Sequence, residues 1–578
     1  MRTLALLAPI ATLIFFLSAP STEGTESKAI KTRKEEVLFI NGAIYVNATK
    51  KVTNLLIRNG KVIAHNVDVR DHTTAKIVDL KNAAAYPGFH DSHNHLLEAS
   101  FGLSEVDLMH CKNYEPCRTA DAIAEKISLL IDKIPDNSPI FGVGFSLEDY
   151  GAWSLKDLAK IDAATKGHPA IFIDNLGHNC IVNSVALKKY DVTSKTKIHA
   201  GTIVLENGQP TGMLREMAMS IVSIPMFEEF ADPILATKLE LKFFDAWAKL
   251  GYTSINDMMG GPMARMIQPE IFKQWEKEGK LPIRVNYAYF IFNLDDVDYA
   301  LKYAGHDTEL VRFLGVKILV DGGIDSGDGW TSWKNREGNN GIHYVTNDDT
   351  EGEQYNLNRI VERAEDLKLN IHYHTQGDKA VEAVLKALEN VWSKKGRLSS
   401  KHTLVHLCFI TDDQLIKLKK FGSAVNVTVQ PALWKVEESD LKRYYPDHIS
   451  EIYPLKKIVD SGITTGMSTD FSVTPIEFAS PLTGMSIALH PQKWIPQSQF
   501  KPLTMKDLIH GFTAGSAATI PQEDTGTLEI GKSADIVIFN KDLYSILPEN
   551  EDLKKEVHVI STWVAGKNVY SASIEGKN

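Results

Sequence analysis

Six side chains that could hold or use a cation are spread along the chain at intervals that no single element explains. His93-Asn94-His95 sets two imidazoles at positions i and i+2. On an extended strand both project from one face and can reach one point. Lys317 lies inside the apolar run Gly315-Val-Lys-Ile-Leu-Val320. An ammonium there must be paired, deprotonated or chemically modified, because stripping its water costs several kcal/mol. His374, His406 and Asp470 each close a short apolar run, in His372-Tyr-His374, Thr403-Leu-Val-His406 and Gly466-Met-Ser-Thr-Asp470. Singly, such residues are ordinary: a core histidine that finds a partner, or an aspartate that caps a helix. Together, imidazoles and a carboxylate without a thiolate suit Zn²⁺ or a similar divalent ion.

For these residues to meet, the runs that carry them must lie side by side. Eight apolar runs alternate with helical stretches, at 85–95, 253–257, 283–289, 316–321, 369–374, 403–407, 424–429 and 465–470. Strand–helix alternation implies parallel pairing, and eight repeats predict an α/β fold, a (β/α)8 TIM-like barrel, whose strand C-termini share one rim. Helices are expected over 119–134, with Ile123, Ile127, Leu130 and Ile134 on one stripe, and over 235–250, stopped by Gly251. Another follows Asp378, and one starts at Thr411 with Gln414 completing a capping box and Gly422 beyond its end. The stretch 96–252 is too long for one loop and reads as an inserted subdomain, about 97–250. Strand-like runs at 37–40, 55–58, 61–64 and 76–80, with an Asn59-Gly60 hairpin signal, have counterparts at 535–540 and 557–564. The economical arrangement is a small composite β-sandwich built from both termini (25–86 and 521–578) beside a barrel spanning 87–520.

Composition narrows the partners. The chain has 578 residues, 63 Lys and Arg against 73 Asp and Glu, and a net charge of −10. An acidic balance without a basic cluster argues against nucleic acid. At 43% hydrophobic and 24% charged it is ordinary globular material. One long apolar run, 4–17, follows Arg2 and precedes the small residues Ser18, Ala19, Ser21 and Gly24. It reads as a secretory signal, residues 1–24, and hence as export to a periplasm or the exterior, without stable membrane insertion after its removal. Of the four cysteines, Cys111 and Cys117 form a local bridge or remain two thiols, and Cys180 and Cys408 sit in apolar, core-like runs. Asn47-Ala-Thr49 is a glycosylation sequon in a eukaryotic host; Asn426-Val-Thr428 matches too but lies in a strand-like run. A homodimer is left open.

Pro87-Gly-Phe-His-Asp91-Ser-His93-Asn-His95 resembles the opening signature of metal-dependent amidohydrolases, and Gly526-Thr-Leu-Glu-Ile-Gly531-Lys-Ser-Ala534-Asp535-Ile-Val resembles that superfamily's closing segment. Further matches are Gly177-His178 with Asn183-Ser184, Gly208-Gln-Pro-Thr-Gly212, Lys317 with Asp321-Gly322, Gly377-Asp378 after His374, and Gln430-Pro431. Residues 36–570 are similar to the amidohydrolase family 3 branch, which includes N-substituted formamide deformylases. The resemblance implies one or two divalent metals. His93 and His95 would bind one with Asp470. A Lys317 carboxylated on its amine would bridge to a second held by His374 and His406, which would also resolve the buried cation. Asp470 would act as general base and then acid, and His178 would stabilise the oxyanion. Trp330, Trp434 and Phe471 follow site strands and are candidates to wall a substrate pocket. Val405, Thr375 and the segment after Asp470 depart from the branch pattern, at positions expected to touch substrate. The implied activity is hydrolysis of a small amide-like, N-acyl or N-formyl C–N bond by a metal-activated water. Alternatives are a deaminase or cyclic amidase on the same site, or a secreted binding or regulatory protein with a degenerate barrel.

Overall fold

The computed structural model describes residues 36–572 apart from 96–105, 112–115, 136–137, 231–232, 259–268, 497–498, 547–551 and the single positions 148, 176, 437, 472, 475, 495, 500 and 522. The expected signal falls outside the described residues. Eight strands form one all-parallel sheet: β1 (Phe89–Asn94), β2 (Tyr252–Asp257), β3 (Arg284–Phe290), β4 (Val311–Leu319), β5 (Ile371–Thr375), β6 (His402–His406), β7 (Val425–Val429) and β8 (Thr464–Met467). They follow one another around the sheet in chain order, each joined to the next by regular pairing. The seam between β8 and β1 closes on two backbone bonds just past the strand end, Asp470 N to His93 O at 3.1 Å and His95 N to Phe471 O at 2.6 Å. The closing bonds are therefore made by the candidate site residues themselves.

The helices start and stop where local chemistry requires. Thr411 accepts from the Gln414 amide while Gln414 reaches back to the Thr411 amide, opening Asp412–Lys419. Thr119 caps Ala120–Ser128, which ends short of the expected 134: Leu129 closes the helix and a separate 3-10 turn, Ile131–Lys133, follows.

The insertion between β1 and β2 has its own six-stranded mixed sheet, in the order Gly201–Glu206, Gln209–Glu216, Asn179–Val182, Ala170–Asp174, Ile140–Phe145, Val106–Asp107. A core of Ile123, Ile127, Phe145, Phe172, Ile181 and Met213 supports its outer part. Helix Pro233–Leu250 returns the chain to the barrel, where Trp247 donates to Asp91 at 3.0 Å. Cys111 and Cys117 are joined in a disulfide at the edge of this unit, and Cys180 and Cys408 are buried.

The two ends of the chain share a second body. One sheet holds four strands of the N-terminal segment, and Asn59-Gly60 turns between two of them with φ of 50° and 74°, the left-handed pair a tight hairpin needs. The other sheet pairs Ala84–Pro87 with Ile536–Phe539 and continues to Lys567–Ser571. Their inner faces share one core, in which Phe39 and Trp563 meet edge-on at 5.1 Å. A buried pair ties this body to the barrel: Arg284 Nε donates to Asp535 Oδ2 at 2.7 Å. No helix among the described residues is long and apolar enough to cross a membrane.

Candidate metal centre

Parallel strands buried on both faces leave little room for polar side chains except at their C-terminal ends. Those ends carry His93, His374, His406 and, just beyond β8, Asp470. His93 Nε2 and His95 Nε2 each lie 3.2 Å from Asp470 Oδ1, and His406 Nδ1 lies 3.7 Å from Oδ2. Lys317 Nζ lies 3.5 Å from His93 Nε2. The imidazoles form a chain of ring contacts, His95–His93 at 5.0 Å, His93–His406 at 5.1 Å, His406–His374 at 4.6 Å and His374–His178 at 5.6 Å. The structure thus brings together His93, His95, Lys317, His374, His406 and Asp470, drawn from five of the eight strand ends, with His178 beside them. One potential ligand atom each of His93, His406 and Asp470 fits within 4.8 Å of the other two.

The backbone at two of these residues is unusual. His406 and Asp470 have φ of 76° and 58°, the left-handed region that non-glycine residues rarely adopt. Each such residue costs about 1–3 kcal/mol and persists only where the surroundings impose it. Here the turn bends the chain at the strand end while keeping the side chain on the inner rim.

The hydrogen bonds around the imidazoles decide their tautomers. His374 Nδ1 donates to Asp321 Oδ1 at 3.1 Å, and His406 Nδ1 donates to Gln430 Oε1 at 3.1 Å. Both acceptors can only accept at those atoms, so the proton is on Nδ1 and the Nε2 lone pair is bare. Both Nε2 atoms are buried without a hydrogen-bond partner, the outer-sphere arrangement that a metal-binding imidazole requires. Burial and the Lys317 charge push His93 well below the usual imidazole range, burial with the His178 and Lys317 charges does so to His374, and burial does the same to His406. Burial alone would raise the Asp470 carboxyl, but its contacts with His93, His406 and His95 favour the ionised form and hold it below the usual carboxylate range, so that the carboxylate keeps the charge and the imidazoles do not. Neutral imidazoles beside a carboxylate are the protonation states a divalent cation needs. The residues present therefore fit the metal implied by the sequence.

Asp91, the acidic member of the opening signature, does not face the cation site. It accepts from Thr469 N at 2.8 Å, Thr469 Oγ1 at 2.7 Å and Asn94 Nδ2 at 2.9 Å. It ties the start of the ring to its end and so sets where Asp470 stands relative to His93. Asp321 does similar work between β4 and β5, accepting also from Gln376, Gly377 and Trp330 N–H groups. Burial pushes its carboxyl up to about 7 against those donors. Gly377 is required at this junction, since a Cβ there would stand 1.9 Å from the Trp330 carbonyl oxygen.

His178 lies in the turn between two insertion strands, 13% exposed. Its Nδ1 donates to Glu216 Oε2 at 2.9 Å, and the same carboxylate accepts from the Tyr344 hydroxyl and from Gly323 N. Burial opposes protonation of His178, but Glu216, with Asp325 and Asp174 behind it, pushes it up to about 10. Glu216 itself has φ of 53°. Sequence reasoning missed Glu216 and Tyr344, which sit in no spacing pattern. It quoted Asp321 and Gln430 only as family matches.

Two of the three aromatic candidates for a pocket wall, Trp330 and Phe471, have described side chains. The Phe471 ring is buried against Phe243 at 5.6 Å and Trp247 at 4.8 Å. Trp330 packs beside His343 at 4.8 Å. The Trp434 side chain lies outside the described residues. Asn426, in the second sequon, is buried inside β7.

The chain is similar to several known proteins. YtcJ of Bacillus subtilis (strain 168) is 24% identical over 521 residues, 86% of this chain and 90% of that protein. LONG AFTER FAR-RED 3 of Arabidopsis thaliana is 23% identical over 570 residues, 93% and 91% of the two chains. Among solved structures, an uncharacterized metal-dependent hydrolase from Pyrococcus horikoshii OT3 superposes with a TM-score of 0.68 at 23% identity, covering 89% of this chain and 99% of its own. These likenesses support the fold. A model of the amidohydrolase family matches residues 76–570, most of the chain and all of the barrel that carries the ring of imidazoles, and the chain belongs to the amidohydrolase family.

Proposed function

We propose that the protein is an exported hydrolase of amide-like, non-peptide carbon–nitrogen bonds in small molecules. The observation that carries this reading is the pair of buried, bare Nε2 atoms of His374 and His406 beside the His93/His95/Asp470 contact. His93, His95 and Asp470 would hold one divalent ion, Zn²⁺ by ligand type. His374, His406 and a carboxylated Lys317 would hold a second. When bound, such an ion lowers the pKa of its water to about 7 and polarises the scissile carbonyl.

The protein's own groups supply the rest. Asp470 Oδ2 accepts the proton of the attacking water and returns it to the leaving nitrogen. His178, fixed through Nδ1 by Glu216, presents Nε2–H to the oxygen that becomes negative. Export is supported by the apolar leader and by the Cys111–Cys117 disulfide, which fits an oxidising compartment.

The test is hydrolysis of a panel of N-acyl amines, N-formyl amines and cyclic amides by metal-loaded protein, alongside Asp470→Asn. The reading predicts turnover of an open-chain amide and a fall of about 10²–10⁴ in kcat for the variant. Full activity in the variant would remove Asp470 as the proton shuttle. Turnover confined to cyclic amides or to deamination would replace the substrate class.

A further inference from the structure

A serine from far along the chain fills the seam of the barrel. β1 and β8 are the two ends of the eight-strand order. β8 pairs with β7 on one edge, and just beyond it Ser468 N donates to Val429 O at 3.1 Å. Successive residues of a strand direct their peptide groups to opposite edges, so Met467 turns its N–H and C=O toward the seam. Buried peptide groups need partners, and here side chains supply them. The Ser516 hydroxyl accepts from Met467 N at 3.0 Å. The Ser92 hydroxyl, from β1, donates to Met467 O at 3.1 Å, and Ser516 Oγ also stands 2.9 Å from that oxygen. Ser92, Met467 and Ser516 are all buried.

Ser516 reaches the strand through an unusual turn. Gly511–Gly515 form a turn of π-helix after the helix Met505–His510. Such turns are rare and recur at functional sites. At its end Gly511 O accepts from Ser516 Oγ at 2.7 Å. Glycines let the turn lie against β8. A Cβ on Gly515 would stand 2.1 Å from Thr465 O, one on Gly511 would stand 2.6 Å from Met467 Sδ, and one on Gly466 would stand 3.0 Å from Ser516 Cα. Thr513, on the same turn, uses its hydroxyl within its own helix, donating to Ile509 O at 2.5 Å.

Three residues separate Met467 from Asp470 along the chain. Across the seam, Asp91 holds Thr469 N at 2.8 Å and His93 O holds Asp470 N at 3.1 Å. Ser92 lies between Asp91 and His93 on β1. These contacts together set the offset between two strands whose ends carry the His93–Asp470 pair, 3.2 Å apart. We propose that Ser516 is a positioning residue, whose hydroxyl holds β8 in its offset against β1 and so places Asp470 toward His93 and His95. The proposal rests on the reading of Asp470 as metal ligand and proton shuttle, and one of its readouts needs no turnover.

The test compares Ser516→Ala, Thr513→Ala, Asp470→Asn and the Ser516→Ala/Asp470→Asn pair. Zn²⁺ affinity is measured by chelator competition, with a weaker chelator for the Asp470 variants, beside kcat and KM on an open-chain amide. Ser516→Ala should weaken Zn²⁺ binding at least about fivefold and cut kcat at least about tenfold, with KM within about threefold. Thr513→Ala should lower the thermal midpoint yet leave Zn²⁺ affinity and kcat within about twofold. Added to Asp470→Asn, Ser516→Ala should weaken Zn²⁺ binding less than about twofold further, because its effect passes through Asp470. Ser516→Cys, which keeps the volume but accepts a hydrogen bond poorly, reads the same quantities should Ser516→Ala not fold. If no amide is cleaved yet the affinity pattern holds, the positioning role stands and the hydrolase reading falls. Wild-type Zn²⁺ affinity in the Ser516 variants, equal losses in Thr513→Ala, or losses that multiply in the double variant overturn the proposal.

Discussion

Replacing Asp321 by Asn tests the tautomer argument at one atom. The carboxylate receives four N–H donors: His374 Nδ1 at 3.1 Å and Gln376 N at 3.0 Å on Oδ1, Gly377 N at 2.7 Å and Trp330 N at 3.0 Å on Oδ2. Asparagine has one acceptor oxygen, so its NH2 must face donors on one side. If the NH2 faces Gly377 and Trp330, two buried N–H groups lose their acceptor, at about 1–3 kcal/mol each. If it faces His374, the imidazole must move its proton to Nε2, and the lone pair offered to the metal disappears. Loss of a carboxylate behind a metal-binding histidine ordinarily weakens metal affinity by about 10–100-fold, or about 1.4–2.7 kcal/mol. The account therefore predicts that Asp321→Asn loses metal affinity in that range, a thermal midpoint lower by several degrees, or both. Chelator competition measures the first and thermal unfolding of the metal-free protein the second. A variant with wild-type affinity and an unchanged midpoint would refute the role given to Asp321.

Three further outcomes are expected. Arg284→Met leaves the Asp535 carboxylate buried and uncompensated, since Arg284 and Asp535 are only 1% and 4% exposed; denaturant unfolding should show a loss of about 3–5 kcal/mol. Gly377→Ala forces a Cβ into the Trp330 carbonyl, so metal-free protein should lose stability and proteolysis near residue 330 should accelerate. Asp524 accepts both arms of Arg312, and although burial opposes ionisation, those bonds hold its carboxyl down at about 2. A depressed carboxyl stabilises the folded state above its unfolded value of about 3.9 and loses that contribution as pH falls toward 2. With a side chain about one-third exposed, the effect discounts to about 1–2 kcal/mol, and Asp524→Asn should flatten that part of the acid-unfolding profile.

Much of the barrel was legible because strands buried on both faces read as apolar runs, and the polar residue that ends each run marks the rim. The predicted 403–407 and 424–429 runs lie within one residue of His402–His406 and Val425–Val429 at each boundary. β4 begins at Val311, earlier than the expected 316, because Arg312 interrupts the apolar run and Gly315, at φ 124°, looks like a break. The insertion could be located only as a gap, since its sheet mixes parallel and antiparallel pairs and lacks the regular strand–helix alternation that marks the barrel. The same limit hid Glu216, which looks like one more surface acid until folding sets it under His178. Lys317, by contrast, stood out because a cation in an apolar strand always needs a reason. Phe471 follows a site residue in sequence, and its packing on Phe243 and Trp247, more than two hundred positions away, has no sequence signal.

The central claim is that the ring of strand-end side chains holds a divalent cation. Its most direct test is a crystal structure of the protein with anomalous scattering at the zinc edge, paired with metal analysis of the same sample. The account predicts at least about one ion per chain, with His93, His95 and Asp470 at about 2.0–2.2 Å from it. A fully folded protein without bound metal, or with its metal bound away from these side chains, would contradict it.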